Sequence, residues 1–164
     1  MQPVALFDTN IWVSALLNPS GMPARLVERW IQGHLTVIIS LSLLEELNDV
    51  LSRTRLKRKY KIRDDESSEC LRLLAARTVL VPVNGRLAVC RDPHDNLVLE
   101  TAIEGGAAYV VSRDDDVKRD PAVSRDMRRH RIRVTSVSRF LAILSTPKPS
   151  PWSGEVGLTT QAIK

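Results

Sequence analysis

Five short apolar runs, separated by longer amphipathic stretches, constrain this chain more than any other feature. They are VALF at 4–7, TVII at 36–39, TVLVPV at 78–83, AAYVVS at 107–112 and IRVT at 132–135. VALF is continuous in apolarity, as expected of a buried strand, and TVII is β-branched. Between them the pattern turns helical. Asp8-Thr9-Asn10 supplies helix-starting residues before IWVSALL, and NPSG ends that helix. Pro23 suits the first position of a helix over 23–32. Further helices are expected over 42–52, 65–77, 95–104 (stopped by Gly105 and Gly106) and 136–145. Strands that alternate with helices at this rhythm predict an α/β domain with a largely parallel sheet.

The pattern stops near residue 146. The remaining PKPSPWSGEVGLTTQAIK, rich in Pro, Ser and Gly, reads as a flexible C-terminal tail at 147–164 behind one domain at 1–146. With 164 residues and 43% apolar composition, the chain can bury a core without disulfides or a structural metal. Cys70 and Cys90 fit no CxxC or zinc spacing and read as buried thiols of a reducing compartment. The N-terminus has no basic, apolar leader, and no apolar run approaches the roughly 18 residues that a membrane span needs. A soluble, cytoplasmic protein without membrane contact is expected.

A net charge of +5 fits a polyanion partner, and its distribution says more. Residues 53–63, RTRLKRKYKIR, hold basic side chains and no acid, and Lys57, Arg58 and Lys59 at their centre are candidates for contact with RNA phosphates. A second basic cluster comprises Arg125, Arg128, Arg129, Arg131 and Arg133, whereas acids gather at Asp114, Asp115 and Asp116. The charge suggests an acidic pocket in a basic frame.

Sites in open parallel sheets form at the carboxyl ends of the strands. Asp8 follows the first strand directly, and Asp114 and Asp116 follow the fourth. Glu46 lies early in the helix that leaves the second strand, and Asp95 opens the helix that leads to the fourth. On a helical wheel of 42–51, Leu43, Leu44, Leu47, Val50 and Leu51 define the apolar face. Glu46 sits at the border of that face and Glu45 roughly opposite it. Ser42-Leu43-Leu44-Glu45 also matches a capping box, which gives Glu45 a structural role. Two carboxylates about 4 Å apart repel by on the order of 4 kcal/mol at an effective dielectric of 20, so such a cluster raises pKa values or binds cations. Oxygen ligands alone suit Mg²⁺ or Mn²⁺. Ions held by carboxylates can activate water and stabilise the leaving oxygen of a phosphodiester. Taken singly, Asp8 and Asp95 could equally cap helices, and 114–116 could be a solvated turn. His94, beside Asp95, could contact substrate or be exposed loop, and His34 and His130 read as surface positions.

With those acids in place, the segments LFDTNIWVSALLNPSGMPARL, SLSLLEELNDVLSR and CRDPHDNLVLETAIEGGAAYVVSRDDDV resemble the PIN-domain family, over residues 4 to about 145. Within it they are most similar to toxins of toxin–antitoxin pairs. The resemblance implies a three-layer α/β/α fold with a five-stranded, mainly parallel sheet, and a Mg²⁺- or Mn²⁺-dependent endoribonuclease. Asp8, Glu46, Asp95 and Asp114 match the family's catalytic, metal-holding acids, and Asp116 falls where many members carry a further one. Asn10 and Ser112 match polar positions that orient the acids or bound water. The DDD run leaves the division between Asp114, Asp115 and Asp116 open, and Asp92 competes with Asp95. By resemblance the partners are an RNA substrate, a small antitoxin protein and a second copy of the chain in a homodimer.

Other chemistries fit less well. A haloacid-dehalogenase-type phosphatase wants an Asp two residues after the first, where this chain has Asn10. A G-x-S-x-G elbow and a Gly-rich phosphate loop are both absent. The remaining rival is a non-catalytic PIN-like protein that binds RNA or regulates through it.

Overall fold

The computed structural model describes residues 2–89, 91–113 and 121–146. β1 (Val4–Phe7) leads through α1 (Thr9–Leu17) and α2 (Met22–Ile31) to β2 (Thr36–Ile39). α3 (Leu41–Leu51), α4 (Thr54–Tyr60) and α5 (Asp64–Arg77) follow, then β3 (Val79–Leu80). α6 (Pro93–Glu104), β4 (Tyr109–Ser112), α7 (Pro121–Arg129), β5 (Arg133–Ser136) and α8 (Val137–Ser145) complete the order. The five strands form one sheet, β3-β2-β1-β4-β5, and each neighbouring pair is parallel.

Strand alternation explains the layers. Ala5 and Phe7 of β1 point to one face with Val37 and Val111, where Trp12, Trp30, Leu74 and Phe140 from α1, α2, α5 and α8 cover them. Leu6 points to the other face with Ile38 and Val110, against Val98, Leu99 and Met127 of α6 and α7. The result is a three-layer α/β/α domain. Gly105 marks a close approach: a Cβ there would collide with the Ile38 side chain and meet Val81 Cγ2 at 2.8 Å.

Several local expectations need correction. The third strand keeps only Val79 and Leu80, both more than half exposed at the sheet edge. The Val81 N–H still donates to Ile39 O at 2.8 Å, but Pro82 has no N–H to continue the ladder. The N-cap of α3 lies two residues before the proposed capping box: it is Ser40, which accepts from the Leu43 N–H at 3.4 Å. α6 starts at Pro93, with Asp92 as N-cap. α4 and α7 are helices that the apolar pattern does not announce, because each is short and heavily basic. No described helix is long and apolar enough to cross a membrane. Half-buried Cys70 packs in α5, where burial pushes its thiol up to about 11; Cys90 and the segment 147–164 lie outside the described residues.

Candidate active site

Because β1 is flanked by β2 and β4, the chain reverses its direction of travel across the sheet at β1, and a crevice opens at the carboxyl ends there. Asp8 is the first residue beyond β1, tied by its N–H to Val111 O at 3.0 Å. It is the N-cap of α1, yet its side chain makes no capping hydrogen bond. The carboxylate is only 7% exposed, and a buried charge is costly unless it is paired.

Part of that pairing comes from across the crevice. His94 Nε2 lies 3.3 Å from Asp8 Oδ1, and Nδ1 of the same ring lies 2.9 Å from Glu46 Oε2. One imidazole thus bridges two carboxylates from different elements. Its pKa is raised to about 9, chiefly by the hydrogen bond to Asp8; burial opposes this, and the charges of Glu46 and Asp8 add to the rise. At neutral pH the ring is an imidazolium.

The three groups are held by separate supports. Ser40 caps α3, six residues before Glu46, and its hydroxyl lies 3.0 Å from that of Thr101 in α6. Thr101 also donates to Leu97 O at 2.8 Å, so the helices carrying Glu46 and His94 are joined by a buried polar link. The Asp92 carboxylate accepts from the His94 N–H at 2.9 Å, and Pro93 presets the first turn of α6. Upstream, the irregular segment 81–89 is tied to α6 by side chains. Buried Glu100 accepts from the Asn84 N–H at 3.1 Å, and Asn96 Oδ1 accepts from the Val89 N–H at 2.9 Å.

Asp95 is half-buried in the first turn of α6, where the helix dipole favours an acid. Asp92 is engaged as the N-cap. Glu45 is exposed, Ser112 is buried at the end of β4, and Asn10 is exposed in α1. Asp114, Asp115 and Asp116 lie outside the described residues. Among the described residues no group of three or more His, Cys, Asp and Glu side chains is arranged to hold a metal. What does come together is two carboxylates sharing one cationic ring. That donor set of hard oxygens, one of them deep, fits Mg²⁺ or Mn²⁺.

Sequence reasoning offers His94 for substrate contact or exposed loop and does not foresee its bridge between Asp8 and Glu46. The available signal was Asp92-Pro93, an N-cap and first-turn pair that puts His94 on the helix at the rim. The basic run also divides: Lys57 forms an ion pair with Asp64, whereas Arg58 and Lys59 are exposed in α4. A cavity of about 480 Å³ lies apart from this crevice, between α1, α2 and α5, walled by Trp12, Trp30 and Leu73. Its floor is apolar, Arg63, Asp65, Glu66 and Glu69 line its other side, and it holds none of the three bridged groups.

The PIN domain family model matches residues 4–116, a span that contains Asp8, Glu46, Asp95, Asp114 and Asp116. The chain belongs to the PIN-domain family. An uncharacterized protein of Methanocaldococcus jannaschii is 29% identical over 112 residues, covering 68% of this chain and 71% of its own. In this PIN domain the family match runs from β1 past the end of β4 and leaves α7, β5 and α8 beyond it.

Proposed function

We propose that this PIN-domain protein is a Mg²⁺- or Mn²⁺-dependent endoribonuclease. The observation that carries the reading is the pairing of buried Asp8 and half-exposed Glu46, from separate elements, on one imidazolium at the carboxyl edge of the sheet. Carboxylates drawn together there need a compensating cation. Asp8 and Glu46, with Asp95, Asp114 and Asp116, would hold the ion, and Asn10 and Ser112 would orient acids or water. A bound divalent ion supplies charge stabilisation for the phosphodiester and a more acidic water. Before the ion arrives, His94 offsets one of the two negative charges of Asp8 and Glu46, and Arg58 and Lys59 on α4 offer positive charge to the RNA backbone. Family resemblance extends the proposal to the toxin of a toxin–antitoxin pair, a cytoplasmic homodimer held in check by a small protein.

A second reading, a PIN domain that binds RNA without cutting it, is favoured by one observation: His94 already occupies the two carboxylates. Incubating a mixed RNA with the purified protein and Mn²⁺, against EDTA and Asp8→Asn controls, separates the two. Cleavage that needs both Mn²⁺ and Asp8 supports the nuclease. Binding without cleavage moves the second reading ahead, and neither binding nor cleavage sinks both.

A further inference from the structure

A second concavity, of about 440 Å³, opens at the same edge of the sheet. Its position follows from two of its walls: Arg113 is the first residue after β4, and Val137 opens α8 directly after β5. Ser14, Leu17 and Asn18 of the α1 end, Met22 of α2 and Tyr60 of α4 form the rest, with Pro23. The size falls within the roughly 300–1,000 Å³ of small-ligand pockets.

The lining combines three kinds of group. Tyr60, 45% exposed, and Met22, 46% exposed, present apolar surface to solvent, and Leu17 adds to it. The Ser14 hydroxyl and the Asn18 carboxamide supply hydrogen-bonding edges, the latter oriented by the Ser20 N–H on Asn18 Oδ1 at 3.3 Å. Arg113 brings an exposed guanidinium, and outside the lining the Lys59 ammonium sits over the Tyr60 ring, 5.2 Å from its centroid, which leaves one face of the ring for a base. A flat aromatic, polar edges and fixed cations beside a phosphodiester site describe how a single-stranded nucleic acid is gripped: bases stack on aromatic rings while the backbone tracks positive charge. An apolar peptide would have no use for the cations, and a free anion none for the aromatic wall.

We propose that this cavity is a nucleobase subsite, in which one base of a single-stranded RNA stacks on Tyr60 while Arg113 holds an adjoining phosphate beside Asp8. The subsite rests on the RNA-binding part of the proposed function and deepens it, since it makes an unpaired nucleotide next to the scissile bond the recognised feature. A base inside a duplex cannot enter, because it stays in its stack.

Binding tests it without needing turnover. The probe is a short single-stranded RNA carrying 2-aminopurine, titrated with the full-length protein in EDTA and followed by anisotropy and by base fluorescence. Stacking contacts of this kind change affinity by roughly ten-fold or more on removal of the aromatic ring. Tyr60→Ala is therefore expected to weaken binding at least that much and to abolish 2-aminopurine quenching, with the salt dependence unchanged. Tyr60→Phe should keep wild-type affinity within about two-fold, since the ring does the stacking. Arg113→Gln should reduce the salt slope by about one unit while quenching persists. Melting curves identify any variant that fails to fold, and the Tyr60→Phe and Arg113→Gln arms then decide. Tight RNA binding indifferent to Tyr60→Ala, or equal Tyr60 dependence with duplex RNA, overturns the subsite and leaves the nuclease reading standing. Absence of RNA binding by the wild-type protein overturns the subsite, and the Mn²⁺ cleavage assay then judges the nuclease reading separately.

Discussion

The bridging imidazole makes stability depend on pH in a direction that can be worked out. His94 has a pKa raised to about 9 in the fold, against about 6.5 when exposed. A group whose folded pKa is raised stabilises fully below its unfolded value and loses that stabilisation as pH rises through the folded value. The contribution is thus complete below about 6.5 and gone above about 9. The difference corresponds to about 3 kcal/mol at 1.36 kcal/mol per pH unit. The ring is 30% exposed and Glu46 more so, and solvent screening reduces the expected effect to on the order of 1–2 kcal/mol. Urea unfolding of wild type, His94→Gln and His94→Ala in EDTA, at pH 6, 8 and 9.5, measures it. Wild type should exceed both variants by the most at pH 6, and the gap should narrow steadily toward pH 9.5. Saturating Mn²⁺ should shrink the gap at pH 6, because the ion takes over the carboxylates. A gap that is the same at every pH would mean that His94 contributes by packing alone and that the ion bridge is not formed.

Mn²⁺ at 100 times its dissociation constant should stabilise the protein by about 2.7 kcal/mol, which is roughly 5–10 °C in Tm for a chain of this size, and scanning calorimetry should show that shift fall sharply in Asp8→Asn. Asp8→Asn should cut RNA orders of magnitude more slowly in a gel assay; since Asp8 faces His94 and not merely other acids, metal-free stability at pH 6 should fall by about 1 kcal/mol instead of rising through relief of repulsion. Charge reversal of Arg58 and Lys59 should flatten the salt dependence of RNA binding, whereas reversal of Lys57, paired with Asp64, should chiefly change stability in a melt. Ser40→Ala removes the α3 cap and the hydroxyl beside buried Thr101, and equilibrium unfolding should register a loss of about 1–3 kcal/mol.

The layered fold was readable because each buried strand had to be a short apolar run, and those runs survive as β1, β2, β4 and β5 with little change of boundary. The helical wheel also distinguished the two glutamates: Glu46, on the border of the apolar face, reaches His94, while Glu45 faces solvent. Competition between local signals defeated the finer reading. Ser40 and Ser42 both qualify as caps, and only the packing of Ser40 against Thr101 decides between them. Pro82 truncates β3 because an edge strand has one neighbour and nothing further to enforce its ladder. The His94 bridge was missed for a different reason. Its partners stand 48 and 86 residues away in the chain, and no periodicity within a single helix reports a contact of that range.

The segment 81–89 has a consequence for how this site is aimed. A ladder-bonded strand fixes its register by backbone pairs, whereas this stretch is bonded to α6 through the side chains of Glu100 and Asn96 and packs Val81, Val83, Leu87 and Val89 into the apolar cluster that α6 shares. The turn bearing Asp92, His94 and Asp95 is therefore aimed by side-chain bonds and packing rather than by a strand register. One wall of the crevice follows from the order of the strands, and the opposite wall follows from how the side chains of α6 hold an irregular segment.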